Sequence, residues 1–255
     1  LSDLGTGDKS LSAAKVSLMN HVPATSIVDI SNDVAPYDLQ QAAYILTAAY
    51  KNFPPGTIHL LLVDIFSADT PQMLLAEKDG SFFIAPDNGI LPFTFGDEFT
   101  GARLCKEFSK PLHFSDWIRE AGSMITLIDK KELSRFPICE LNIAKRQLQL
   151  KVVPLGIDCN IRCIDRYDNV VLDVTRPQFD QHVRGRPFKI RIMRMEDVTT
   201  VSNNYNDVPQ GKPLCRFNDS GYLEIALNHG SAAAQLGLGS YSTGNIGYQS
   251  IRIFF

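Results

Sequence analysis

The feature that most restricts how this chain can fold is a short apolar run ending in aspartate, beside a small or turn-forming residue. It occurs at Asp3, in Leu1-Ser2-Asp3-Leu4-Gly5, and again at Asp29, Asp64 and Asp87. Between these runs lie stretches with helical spacing. Ser10 to Asn20 is one, with Asp8 or Ser10 as its cap, and the alanine-rich Tyr37 to Tyr50 is another, stopped by Pro54-Pro55-Gly56. Short apolar runs alternating with helices mark an α/β domain. Thr57 to Val63 is apolar almost throughout, as in a strand covered on both faces. Ser26 to Ile30 and Ser81 to Ala85 read as further strands, the first of them buried, and Ser115 to Leu127 as a helix. We therefore expect an α/β N-terminal domain with a largely parallel sheet and acids along its carboxyl edge, where ligands of open α/β sheets bind. One strand-end aspartate more often caps a turn. Four of them point to an electronegative ligand site.

The pattern loosens from about Asp129 to Ala144 and then changes character. Lys189-Ile190-Arg191-Ile192 alternates polar with apolar residues, and Gln249 to Phe255 reads as a closing strand. The expected organisation is an α/β domain over residues 1–130, a linker over 131–146 and a smaller C-terminal β-barrel domain over 147–255.

Several function classes are disfavoured. The net charge of -3 gives no electrostatic footprint for nucleic acid or an anionic membrane. The basic residues Arg184, Arg186, Lys189, Arg191 and Arg194 read as one solvated strand face. No apolar run approaches the roughly 18 residues that span a bilayer. The five cysteines are scattered, and the Cys159–Cys163 spacing is not that of a zinc site, so no metal is expected and a reducing cytoplasmic setting is. The Gly5-Thr6-Gly7-Asp8 loop lacks the spacing of a phosphate loop, and Asp3 and Asp8 would repel phosphate. A carboxylate there suits ribose hydroxyls, from which it can accept two hydrogen bonds.

Six segments carry a family resemblance. They are Ser2-Asp3-Leu4-Gly5-Thr6-Gly7-Asp8, Ile27-Val28-Asp29-Ile30-Ser31, Val34-Ala35-Pro36-Tyr37-Asp38-Leu39, Ala85-Pro86-Asp87-Asn88-Gly89-Ile90-Leu91, Ile164-Asp165-Arg166-Tyr167-Asp168-Asn169-Val170 and Asn218-Asp219-Ser220-Gly221-Tyr222-Leu223-Glu224-Ile225-Ala226. In this order they resemble the S-adenosylmethionine (SAM) hydroxide adenosyltransferases and the related fluorinases and chlorinases. The resemblance implies a homotrimer with active sites at subunit interfaces, SAM or adenosine as the small-molecule ligand, and no cofactor. It implies attack by water or halide on C5′ of the ribose, with methionine leaving. By position, Asp3 would hold the ribose hydroxyls and Tyr37 and Ser67 would pack near the substrate. Asp165 and Asn169 would bind the methionine ammonium or carboxylate and the ribose edge. Asp219, Ser220 and Asn228 would line the methionine and adenine pocket, while Asp8, Asp87 and Asn88 would support the site from behind.

The chain departs from that family around the nucleophile. Val63-Asp64-Ile65-Phe66-Ser67-Ala68-Asp69-Thr70-Pro71 keeps the aspartate, loses two glycines and has Pro71 where an arginine is expected. Leu112-His113-Phe114-Ser115-Asp116 aligns in two registers, one offering His113 as a partner of Asp64 and the other offering Ser115 as a halide contact. Three readings follow. The first is a SAM hydrolase using Asp64 and His113 as catalytic residues. The second is a binding protein that holds SAM or adenosine without turnover. The third is a halogenase, suggested by Ser67 and Ser115.

Overall fold

A computed structural model describes residues 1–23, 25–96, 99, 101–141, 150–192, 195–238 and 250–255. The chain divides into two units, Leu1–Lys145 and Arg146–Phe255. The expected linker runs into residues 142–149, which lie outside the described residues, as do Arg194 and Gln249.

The N-terminal unit contains α1 (Lys9–His21), α2 (Leu39–Ala49), β1 (Ile58–Leu60), β2 (Gln72–Lys78), β3 (Ser81–Pro86), α3 (Ile90–Phe95), β4 (Ala102–Glu107) and α4 (Phe114–Asp129). Its sheet has the order β1-β3-β2-β4. Strand β1 runs parallel to β3, whereas β2 runs antiparallel to both β3 and β4. The expectation of a largely parallel sheet is therefore wrong: the sheet is mixed. The cause is local. Asp79 (φ 51°) and Gly80 (φ 76°) form a two-residue turn with consecutive positive φ, the geometry that folds a strand back on itself. Lys78 consequently faces Ser81 across the hairpin. The Asp-Gly pair was the signal for this in the sequence.

Helices cover both faces of the sheet. Side chains alternate along β2, so Leu74 and Ala76 pack with Ala42, Leu46 and Tyr50 on one side. Met73 and Leu75 pack with Ala14, Trp117, Ile118, Ala121 and Met124 on the other. Each leucine, isoleucine or methionine among them contributes about 1.5–3 kcal/mol on leaving water, before entropy is counted. Trp117 is fully buried and stacks on Phe108, a packing role. The expected buried strand at Ser26 to Ile30 does not form. Residues 25–29 are exposed, and the place beside Leu62 is taken by Ser2 through a parallel bridge.

The C-terminal unit contains β5 (Lys151–Val153), β6 (Gly156–Ile164), β7 (Val170–Thr175), α5 (Arg176–Val183), β8 (Lys189–Ile190), β9 (Pro213–Phe217), β10 (Tyr222–Leu227), α6 (Ala232–Gln235) and β11 (Ser250–Phe254). They form a seven-stranded sheet of order β8-β11-β6-β7-β10-β9, with β5 also on β6. Every strand pair in it is antiparallel. The smaller β-barrel domain expected from the alternation is corrected to an open half-barrel: among the described residues β8 and β9 do not pair. Val198 and Val201 make only single bridges to Ile190 and Cys215, too few to close the sheet with a ladder. Gly156 is required where β6 meets β11, since a Cβ there would lie 2.1 Å from the Ile253 carbonyl oxygen.

Candidate functional site

The site in the N-terminal unit is built on Asp3. Ser2 is fixed first: its N–H donates to the Ser31 carbonyl at 3.0 Å and its hydroxyl to Asn32 Oδ1 at 2.8 Å. This places Asp3 at the end of the sheet edge, next to the turns that follow β1 and precede α2. Asp3 Oδ2 then accepts the backbone N–H of Tyr37 and that of Asp64, each at 3.1 Å. Both donors have left-handed backbones, Tyr37 with φ 65° and Asp64 with φ 48°. Such a conformation costs a non-glycine residue about 1–3 kcal/mol and persists only where surroundings enforce it. One carboxylate oxygen enforces it twice.

Asn88 holds Asp64 from the other side. Its Nδ2 donates to the carbonyls of Val63 at 2.9 Å and Asp64 at 3.2 Å, while its Oδ1 accepts from Ile90 N–H at the start of α3. Burial and, second, the nearby charge of Asp3 push the Asp64 carboxyl above the ordinary value of 3.8. No Lys, Arg or His among the described residues forms an ion pair with either carboxylate. Asp64 is thus a proton acceptor of raised basicity, fixed through its backbone on both sides.

The other predicted residues of this unit fall around that centre to different degrees. Ser67 is exposed in the turn after Asp64, its N–H donating to the Asp64 carbonyl at 3.3 Å. The Tyr37 side chain is 73% exposed. Asp8 caps α1, accepting from Ser10 N–H at 2.6 Å, and hydrogen bonding from the Ser10 side chain and then its backbone holds the carboxyl below the usual range. Asp87 precedes Asn88 and anchors its backbone N–H on the Gln72 carbonyl at 3.0 Å. Asp29 is paired instead with Lys15 at 2.6 Å.

His113 is exposed at the N-cap of α4, and its backbone N–H donates to Asp116 Oδ2 at 3.3 Å. A groove of about 450 Å³ separates the two candidate segments. One wall is Phe66, Ala68 and Pro71, following Asp64; the other is Lys110, Pro111 and Leu112, leading into His113. Nothing in the sequence singled out Lys110.

In the C-terminal unit, Asp165 organises the turn between β6 and β7. Its Oδ1 accepts from the N–H groups of Tyr167 at 2.8 Å and Asn169 at 2.9 Å, and its Oδ2 from Asn169 Nδ2 at 3.0 Å. The Asp168 carbonyl in this turn accepts from Ala233 N–H in α6 at 3.0 Å, which brings the 228–233 segment alongside. Asn228 is buried there, donating through Nδ2 to the Val208 carbonyl at 2.8 Å. Asp219 and Ser220 lie elsewhere, in the β9–β10 turn organised by Asn218 Oδ1, which accepts from Ser220 and Tyr222 N–H. That turn adjoins Arg176, at the opposite end of β10 from Asn228. A six-residue strand separates the ends by about 17 Å. Asn218 was quoted within a motif but not as a site residue.

Residues 1–125 match the SAM hydroxide adenosyltransferase N-terminal domain, and residues 159–243 match the C-terminal domain of the same family. A protein of Thermus thermophilus named (R)-S-adenosyl-L-methionine hydrolase is 24% identical over 253 residues, covering 93% of this chain and 94% of its own. A fluorinase of an Actinoplanes species is 33% identical over 273 residues, covering 89% of each chain. The crystal structure of an uncharacterized conserved protein from Thermotoga maritima superposes with a TM-score of 0.81 at 22% identity, over 100% of this chain and 98% of that one. The chain belongs to the SAM hydroxide adenosyltransferase family.

Proposed function

We propose that this protein is a SAM hydrolase, releasing adenosine and L-methionine. The observation that carries the reading is the Asp3–Asp64 arrangement, a carboxylate of raised basicity latched in place at a sheet edge. In the reaction a water oxygen bonds to C5′ as the C5′–sulfur bond breaks. The bonding pair goes to sulfur, so a sulfonium becomes a neutral thioether. The water proton passes to Asp64. Alignment opposite the C5′–sulfur bond and exclusion of bulk water are the protein's contributions. Asp3, with one oxygen committed to backbone, keeps the other for the ribose hydroxyls.

The reading includes no cofactor, a homotrimer with sites at subunit interfaces, and a cytoplasmic location. No helix among the described residues is long and apolar enough to cross a membrane. Incubation of purified protein with SAM, with products resolved by chromatography, tests the activity, and adenosine at only the spontaneous rate refutes it. Including chloride or fluoride in the same assay reads out halogenation. Sedimentation reads out the trimer.

A second reading, a SAM- or adenosine-binding protein without turnover, is favoured by one observation. Neither Asp3 nor Asp64 has an ion-pair partner among the described residues to balance charge during water attack. Tight binding by calorimetry with no product formation would select it.

A further inference from the structure

Gln41 is 7% exposed, although glutamine is mostly a surface residue, and the hydrolase reading gives it no role. It is the third residue of α2, whose cap is Asp38. Asp38 Oδ1 accepts the Gln41 N–H at 3.0 Å, which is one half of a capping box. The other half is displaced. Instead of returning to the N–H of the cap, Gln41 Oε1 accepts from Ala35 N–H at 2.6 Å, three residues before it. A backbone N–H only donates, so the atom facing it is the amide oxygen.

The Asp38 N–H closes a turn instead, donating to the Ala35 carbonyl at 3.0 Å. Ala35-Pro36-Tyr37-Asp38 has proline second and a left-handed residue third, the pattern of a type II turn. The third place favours glycine. Tyr37 fills it with φ 65°, and its N–H is the one that Asp3 Oδ2 accepts at 3.1 Å. Gln41 thus holds the first residue of the turn and Asp3 the third. Such strain persists only where surrounding groups over-determine it, and here two side chains do.

We propose that Gln41 is a positioning residue of the SAM site, fixing the Ala35–Asp38 turn in the shape that brings Tyr37 to Asp3. This rests on the reading that Asp3 holds the ribose of SAM. Gln41 touches no reacting atom. Without its oxygen the Ala35 N–H loses its acceptor, the turn relaxes, and Asp3 Oδ2 loses one of its two donors. The Asp3 carboxylate then rotates more freely, and its second oxygen no longer meets the ribose hydroxyls in one orientation. Asp64 keeps its hold from Asn88. The loss therefore falls on binding more than on the chemical step.

The test compares wild type with Gln41→Met, Gln41→Asn and Gln41→Glu, by calorimetric Kd for SAM and by kcat and KM for adenosine release. Met fills similar space without an acceptor, and Asn is too short to reach Ala35. Both are expected to raise Kd and KM, Gln41→Met by about 10-fold, with little change in kcat. Glu keeps an acceptor oxygen in either protonation state and is expected to restore values near wild type. Urea unfolding of each variant separates stability from function. A Gln41→Met that is destabilised but unchanged in Kd and KM overturns the inference, because Gln41 would then only anchor α2. So does a Gln41→Glu that loses as much as Gln41→Met. If Gln41→Met does not fold, an unchanged Gln41→Asn overturns the inference in the same way. A wild type that binds SAM without releasing adenosine overturns the hydrolase reading alone, and the Kd series still decides this inference. A wild type that neither binds nor turns over SAM overturns both.

Discussion

Asp64 holds a left-handed backbone, with φ of 48°, while its N–H donates to Asp3 Oδ2 at 3.1 Å. The two acids are 61 residues apart in sequence. One of them sets the backbone of the other and, second to burial, its charge raises the other's proton affinity.

Replacing Asp64 by Asn separates chemistry from fold. Asn tolerates the left-handed region, so the turn should persist. Loss of the proton acceptor is expected to lower kcat by about 10²–10⁴-fold, read from adenosine formation at saturating SAM.

The same substitution should stabilise the protein at neutral pH. The folded Asp64 carboxyl binds its proton more tightly than the unfolded one, so its contribution is fully present below the unfolded value of 3.8 and lost as pH rises through the folded value. Asn removes that loss. Urea unfolding of Asp64→Asn against wild type should show a gain at pH 7 that disappears as the pH falls through the carboxylate range. A pH-independent difference would contradict this account.

Asp3→Ala leaves two backbone N–H groups without their acceptor and unlatches two left-handed residues. Two charge-assisted bonds are at stake, and the expected destabilisation is about 2–4 kcal/mol by urea unfolding. Asp3→Asn keeps an acceptor oxygen for the backbone and should lose about 1 kcal/mol or less, with a weaker hold on SAM seen by calorimetry.

His59 is buried on β1, stacked on Phe83 at 4.9 Å between the ring edges of Tyr50 and Phe53. Burial pulls its imidazole from 6.5 down to about 4. The neutral form is therefore the folded form. Stability from this group is present above pH 6.5 and is lost as pH falls toward about 4. The loss is on the order of 3 kcal/mol. A pH series of thermal unfolding should show it, and His59→Leu should flatten it.

Asp165→Ala removes the three bonds that shape the β6–β7 turn. The expected cost is about 2 kcal/mol in the C-terminal unit, measured by urea unfolding. Asp165→Asn should lose less, because an amide oxygen still accepts from the backbone. Equal stability of Asp165→Ala and wild type would show that the turn is set by other residues.

The helices were legible in the sequence because their signals are local. Asp8 and the periodicity behind it mark α1, and the proline-glycine stop ends the region of α2. The apolar strand-end pattern marked Asp3, Asp29, Asp64 and Asp87 in the sequence, since a covered strand leaves a continuous apolar run whatever its partners. Strand direction was not legible from that pattern. It was set by Asp79 and Gly80 in a hairpin turn, so a run read as part of a parallel sheet became half of an antiparallel pair. Ser26 to Ile30 has a strand's composition, yet it is Ser2 that bridges Leu62, and residues 25–29 stay exposed. The Asp3 latch, the separation of Asp219 from Asn228 along β10 and the place of Lys110 on the groove belong to the tertiary structure alone. Each depends on which distant segments share an edge or a strand end, and residue type and spacing carry no information about that.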